Sequence, residues 1–219
     1  MRQVVEMVRK HETVFAATEV LRMFPTFVWK AELESKTYRS INKSILRKLE
    51  AIRLCAPQPA GHGWQSGHDL HKCDEFREMK SCVNHAVKRV LEFLKIGEEK
   101  FEITGCWANM NPPEAAHGTH NHPNNFLSGV YYVQTNKGAE TINFHDPRPQ
   151  TEIIRPAVTA LTAENTDQVV VKVRNGTILI FPSWLKHSVD ANGSDKTRIS
   201  ISFNVMFSAY AETMSQPLW

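Results

Sequence analysis

Ten histidines are spread over 219 residues, and three of them fall within six positions of the stretch HGTHNHPNNFLSGVYY: His117, His120 and His122. Imidazole titrates near neutrality and offers a nitrogen lone pair. The cluster therefore fits a metal site, a proton-handling site or a solvated loop. Spacing bears on the choice. His120 and His122 stand two apart, and on an extended segment residues i and i+2 project to one face, so both rings can converge on a point. A metal needs a further ligand from a distant part of the fold. His187, in FPSWLKHSVDANGSDKTRISISFN, stands at the end of a strong strand and next to a turn. Eleven residues on, Arg198 opens the next strand, with Ser200 on the same face.

The elements that must carry these residues divide the chain in two. In TYRSINKSILRKLEAIRL, residues Tyr38, Ile41, Ile45, Leu49 and Ile52 recur at spacings of three and four, which predicts an amphipathic helix. CDEFREMKSCVNHAVKRVLEFLKIG repeats the pattern through Phe76, Met79, Val83, Val87, Val90 and Leu94, with Asp74 as the expected N-cap and Gly97 as the expected stop. The Gly-, Pro- and His-rich segment between them reads as loop, and FPTFVWKAEL as a strand or extended entry. From residue 101 the texture changes to short β-branched and aromatic runs: FEITGCWANMN, FLSGVYYVQT, AETINFHD, QVVVKV, GTILIFPS and TRISISFNVMF. The last alternates, with Ile199, Ile201 and Phe203 on one face and Ser200, Ser202 and Asn204 on the other. Asn136-Lys-Gly138 and Arg174-Asn-Gly176 mark turns. Six such runs predict an α+β protein, an antiparallel sandwich or barrel with helices packed outside it. The chain reads as one domain, 1–219: a helical region 1–100 containing a substrate-side loop 56–72, a β core 101–207, and a tail 208–219.

Composition excludes several classes. A formal charge of +3 with scattered basic residues disfavours a nucleic-acid surface. The charged start has no signal-peptide apolar core and no stretch reaches membrane-spanning length, so the expected compartment is the cytoplasm. Cys55, Cys73, Cys82 and Cys106 form no CxxC pair and are expected to be reduced, mostly buried thiols. The sequons at Asn175 and Asn192 are then accidental. Exposed faces of the N-terminal helices could pair two subunits as a homodimer.

The order His-x-His, a long interval, His, then Arg-x-Ser resembles the iron(II)- and 2-oxoglutarate-dependent dioxygenases, whose usual signature is His-x-Asp/Glu, a long gap, His, and an Arg or Lys about ten residues later. FPTFVW, GWQS, HNHP, SGVYYV, FHDPR and GTILIFPSWLKHSV…RISISFN resemble a bacterial and phage subgroup of 2-oxoglutarate oxygenases, from about residue 24 to 207. The resemblance implies a double-stranded β-helix, a jelly-roll or cupin-like core, with Fe(II), 2-oxoglutarate and O2 as cofactor and cosubstrates. It implies that His120 and His187 bind Fe(II), that Arg198 forms a forked pair with the distal carboxylate of 2-oxoglutarate, and that Ser200 and Tyr132 add hydrogen bonds to it. The implied reaction is hydroxylation of an unactivated C–H bond of a small molecule or a side chain, with release of succinate and CO2. One position departs from the pattern. His122 stands where the family carries a carboxylate; either it completes a three-histidine metal set or Asp146, in FHDPR, supplies a carboxylate from a neighbouring strand.

Each sharper reading has a plainer counterpart. His117 reads as a loop histidine, and His145 as a structural residue or a barrel-interior one. His62, His68 and His71 around GWQS are solvated, or form a lid in which Trp64, Gln65 and Ser66 touch substrate. Trp107 and Asn109 face substrate or pack; Arg148 is a turn residue or an anchor for an acidic substrate. Two other functions compete: a three-histidine metal dioxygenase without 2-oxoglutarate, against which Arg198 argues, and an inactive cupin-like binding module.

Overall fold

A computed structural model describes residues 16–55, 63–97, 100–149 and 153–213. The elements, in chain order, are β1 (Trp29–Glu32), α1 (Ser35–Cys55), β2 (Trp64–Gln65), α2 (Arg77–Phe93), β3 (Phe101–Asn111), β4 (His117–His120), β5 (Leu127–Gln134), β6 (Thr141–His145), β7 (Gln168–Lys172), β8 (Thr177–Pro182), β9 (His187–Val189), β10 (Arg198–Phe207) and α3 (Ser208–Ala211). Two 3-10 turns, Leu70–Lys72 and Asp74–Phe76, lead into α2.

All ten strands pair antiparallel, in a six-stranded sheet ordered β1-β8-β5-β10-β3-β2 and a four-stranded sheet ordered β4-β9-β6-β7. Together they make the double-stranded β-helix. The large sheet is apolar on both faces because both are covered. Its outward side chains, among them Leu127, Tyr131, Ile178, Ile180, Ile201 and Phe203, share one core with the stripes of α1 and α2. Its inward side chains Val130, Tyr132, Leu179 and Phe181 meet Ile142 and Phe144 of the small sheet in a second core. Period-two alternation along β5, β8 and β10 sorts each residue to its layer.

The helical stripes are placed as their spacing predicts, Ile41, Ile45 and Leu49 on α1 and Met79, Val83, Val87 and Val90 on α2, all buried. A polar contact locks α1 to the sheet. The buried Asn42 donates to the Val133 carbonyl at 2.7 Å and accepts from the Tyr131 hydroxyl at 2.6 Å. Both ends of α2 differ from expectation. Asp74 lies in the 3-10 turn and Phe76 is the N-cap residue. The helix ends at Phe93 with Leu94 as its C-cap, and the left-handed residue that closes it is Lys95, not Gly97: Lys95 has φ +56, its N–H bonds to Glu92 O, and the Ile96 N–H reaches back to Leu91 O at 3.0 Å. That is the left-handed C-terminal motif glycine usually fills. Gly138 (φ +90) and Gly176 (φ +82) do occupy their expected turns. The four cysteines are free, with Cys106 buried and Cys55 exposed. Asn192 is buried and its amide donates to the Asn111 and Lys196 carbonyls, so its role is structural.

Gly129, in SGVYY, is the tightest point of the core. A Cβ there would overlap the Phe203 ring and come within 2.5 Å of the Leu179 carbonyl oxygen. Gly129→Ala is expected to lower stability by about 1–3 kcal/mol through overpacking, and Asn42→Ala by about 1–3 kcal/mol by leaving the Tyr131 and Val133 groups unpaired. Urea unfolding of the purified variants checks both; an unchanged midpoint for Gly129→Ala would mean that β5 and β10 part to admit a methyl group.

Candidate metal centre and cosubstrate pocket

The small sheet is where distant segments meet. β4 pairs with β9 so that His120 lies directly opposite His187. His122, two residues past His120, is pulled in by its backbone: its N–H donates to Ser183 O at 2.9 Å, and the fully buried Ser183 itself bonds to the Asn125 and Phe126 carbonyls. Pro182-Ser-Trp184 is therefore the bend that holds both histidine-bearing segments together. Ring centroids are 4.3 Å apart for His120–His187, 5.1 Å for His120–His122 and 5.2 Å for His122–His187. One ring nitrogen from each falls within 4.8 Å of the others, and the three could hold a metal ion.

The protonation state suits that use. His120 Nδ1 faces the Gly118 carbonyl at 2.8 Å and His187 Nδ1 faces the Leu185 carbonyl at 3.0 Å. A carbonyl can only accept, so each Nδ1 carries the proton and each Nε2 presents its lone pair. Burial, with smaller contributions from His187 and His120, holds the His122 pKa down at about 3, and burial holds His187 at about 4 despite its bond to Leu185. Both stay neutral at physiological pH, the form a metal binds.

A cavity of about 250 Å³ runs from the histidines to the large sheet. Neighbouring strands place Tyr132, Ser200, Asn109 and Gln65 in one row across β5, β10, β3 and β2, and pair Arg198 with Asn111. Arg198 is 3 % exposed and Tyr132 fully buried. Arg198 Nε and the Tyr132 hydroxyl have no hydrogen-bond partner among the described residues. The guanidinium carbon lies 5.3 Å from the centroid of the Tyr132 ring. Burial pushes the Tyr132 phenol up to about 12 although the neighbouring guanidinium opposes the shift. No Asp or Glu among the described residues lines the cavity. A buried cation and a buried hydroxyl left unsatisfied are costly, and both point to an anionic oxygen ligand at this end.

Of the residues singled out from sequence, His120, His122, His187, Tyr132, Arg198 and Ser200 all line this one cavity. Trp107, Asn109 and Gln65 line it too. Trp64 and Ser66 do not. β2 alternates like any strand, so the residues either side of Gln65 turn away: Trp64 is buried in the helix-side core and Ser66 bonds to the Gly67 carbonyl and the Ala108 N–H. Asp146 stands outside as well. Both its oxygens are taken by the Arg148 side chain at 2.9 Å, and that pair closes a turn. Arg148 is thus a turn residue. His145 bonds to Ser188 Oγ at 2.9 Å, a structural role. His62 lies outside the described residues.

Sequence reasoning missed several wall residues. His117 is not a solvated loop residue; it sits in β4, faces the cavity and bonds through Nε2 to Asn111 Oδ1 at 3.1 Å. Its pKa is lowered by burial and then by Arg198. Asn111 and Asn121 also line the cavity, as does His68, one of the histidines read as solvated or as part of a lid. Only Ser202 carried a readable signal, since it shares the face of Ser200 on an alternating strand.

Comparison with known proteins agrees with this geometry. Residues 105–204 match the sequence profile of a family described as "Putative 2OG-Fe(II) oxygenase". No curated protein sequence matches the chain. Among solved structures, a prolyl-4-hydroxylase from Pseudomonas putida superposes with a TM-score of 0.57 at 14 % identity, covering 83 % of this chain and 93 % of that one. HygX from Streptomyces hygroscopicus, solved with nickel and 2-oxoglutarate bound, gives 0.56 at 11 % identity, covering 84 % and 83 %. The epimerase SnoN from nogalamycin biosynthesis, described as non-heme and alpha ketoglutarate dependent, gives 0.57 at 14 % identity, covering 89 % of each chain. At these identities the likeness is one of fold. The profile match covers residues 105–204, the β core of this chain, and is to 2OG-Fe(II) oxygenases, a family whose cofactor and cosubstrate are Fe(II) and 2-oxoglutarate.

Proposed function

We propose that this protein is a dioxygenase that hydroxylates a C–H bond of a small molecule or a side chain, with His120, His122 and His187 as iron ligands and Arg198 as the anchor of 2-oxoglutarate. One observation carries the reading: a buried guanidinium, with no carboxylate partner among the described residues, shares a cavity with three convergent imidazoles. The balance is one C–H bond, one O2 and one 2-oxoglutarate consumed, and one C–OH, one succinate and one CO2 formed. Bound Fe(II) supplies the chemistry that couples decarboxylation of the keto acid to oxidation of the C–H bond.

The chain's own groups bind and orient. Arg198 offers a forked donor to the distal carboxylate, a geometry lysine cannot reproduce. The Tyr132 and Ser200 hydroxyls stand on the neighbouring and same strands, where they add neutral hydrogen bonds to that carboxylate. Burial keeps Tyr132 protonated, so it donates. The keto acid end then faces the histidines, which contribute no negative charge, so the cosubstrate supplies the anionic donors. Trp107, Asn109, Gln65 and His68 line the same cavity, and there the substrate's target carbon would be held and water excluded. A three-histidine dioxygenase without 2-oxoglutarate would have no use for Arg198, whose burial without a counter-ion among the described residues is a standing cost.

Anaerobic titration of the metal-free protein with Fe(II) and then 2-oxoglutarate tests the reading. A visible charge-transfer band is expected only with both present. Arg198→Ala is expected to weaken 2-oxoglutarate binding by about 2–5 kcal/mol, and His187→Ala to abolish the band. Iron binding with no band at any 2-oxoglutarate concentration would overturn the cosubstrate assignment. The ligand set has its own check. Asp146→Asn is expected to leave the iron content of the purified protein unchanged, whereas His122→Ala lowers it; the reverse pattern would make Asp146 the third ligand.

A further inference from the structure

The three histidines are not held alike. His120 and His187 each have Nδ1 tied to a carbonyl of their own strand segment, Gly118 O and Leu185 O. His122 has no hydrogen bond to its ring among the described residues. It stands past the end of β4. Its ring is instead flanked by Trp107, with centroids 5.7 Å apart and planes at 57°. Trp107 projects from the middle of β3, is 8 % exposed, and is paired in register with Ser202 of β10, so its backbone is fixed by the largest sheet. His68 also packs on the indole, at 4.8 Å and 38°, and His68 is steadied through Nε2 by the Gln65 amide at 3.1 Å. The order is Gln65, His68, Trp107, His122.

A metal-ligating imidazole usually has its second nitrogen held by a carbonyl, carboxylate or water, which fixes both the tautomer and the ring angle. Where that bond is missing, ring packing is left to set the angle, and the remaining freedom is rotation about χ1 and χ2. We infer that Trp107 is a positioning residue: in ring contact with both His68 and His122, it holds the His122 ring aimed at the metal in place of the hydrogen bond that the other two histidines have. The inference rests on the proposed assignment of the three histidines as ligands, and it makes His122 the one whose hold on the metal depends on a neighbouring wall. An indole is large and rigid, with two torsions, so it sets a ring angle at little entropic cost. The same residue forms part of the cavity wall, so the wall and the third ligand move together.

Cobalt(II) added alone to the metal-free full-length protein under argon is the probe, because its visible bands report the number and geometry of its ligands. Trp107→Ala is expected to weaken Co(II) binding by about tenfold or more and to shift the bands toward those of His122→Ala. Trp107→Phe, which keeps a flat ring, restores most of the affinity. The deciding comparison is made in a His122→Ala background, where Trp107→Ala should change the remaining affinity by less than about twofold, since a residue acting through His122 has nothing left to position. Equal losses in the two backgrounds, or no loss in either, would overturn the inference. Should Trp107→Ala fail to unfold cooperatively on heating, His68→Ala, which removes the other ring packed on Trp107, takes its place in the same pair of backgrounds. A loss confined to the protein that retains His122 would again support the inference, and equal losses or none would again overturn it. Absence of Co(II) binding by the wild-type protein would instead overturn the assignment of the three histidines, and the inference with it.

Discussion

Strand β10 carries the constraint on which the rest of the molecule depends. It lies between β5 and β3 with a core against one face and the cavity against the other. Ile199, Ile201, Phe203 and Val205 must enter the helix-side core, and this forces Arg198, Ser200 and Ser202 to face inward. Because the side-chain period is two, a slip of one residue would put a guanidinium among α1 and α2 and four large apolar groups in the cavity. Register is therefore set by the burial of the apolar face, and the polar face is placed as a consequence. Two irregularities refine it: Val133 is left over where β5 passes Ile199 and Ser200, and β3 is displaced opposite Asn204 and Val205. Bulges of this kind bend a strand and re-aim the side chains beside them. The first lies next to Tyr132 and Ser200.

This placement is electrostatically expensive in the absence of ligand. Arg198 is buried with no carboxylate near it among the described residues, and the three histidines at the other end of the cavity could hold a cation. Two positive centres in one enclosed space repel, and a low dielectric strengthens the repulsion. A dianion with a carboxylate at each end relieves both at once, and on the proposed reading that is what 2-oxoglutarate does. The same reasoning explains why the three histidines need to be neutral. Burial depresses the pKa of His122 and His187 so far that neither adds positive charge to the pocket at physiological pH.

Much of this was legible in the sequence where periodicity is strong. The stripes of α1 and α2, the six longer strands and the two Asn-containing turns all fall where their patterns put them, and the convergence of His120, His122 and His187 follows from a two-residue spacing plus one distant strand end. What escaped has physical causes. β4 and β9 are four and three residues long and are mostly polar, so they carry no alternation to detect. His117 is on the first of these, which is why it reads as loop. Trp64 and Ser66 group with Gln65 by proximity, yet adjacent residues of a strand point to opposite faces. Asp146 is a candidate ligand by residue type, but an arginine two residues away engages both its oxygens, a turn that residue type alone does not reveal. Composition points to Gly97 as the stop of α2, whereas the Ile96–Leu91 bond places the left-handed turn at Lys95.

The site also divides by how its parts are rooted. Arg198, Ser200, Tyr132, Asn109 and Trp107 stand on β10, β5 and β3 of the large sheet, and His120 and His187 on a strand pair; groups so placed are fixed to within small displacements by their ladders. His122, Asn121 and His68 stand on connections, and Gln65 on a two-residue strand at the sheet edge. The groups proposed to bind the cosubstrate and two of the proposed metal ligands therefore belong to the rigid part, and Gln65 and His68 of the wall left for a substrate belong to the part that sequence change can reshape at little cost to the core. His122 is where the two meet. It is a proposed ligand by chemistry and a loop residue by architecture, and it is joined to the rigid part through the Ser183 carbonyl on its backbone and the Trp107 ring beside it.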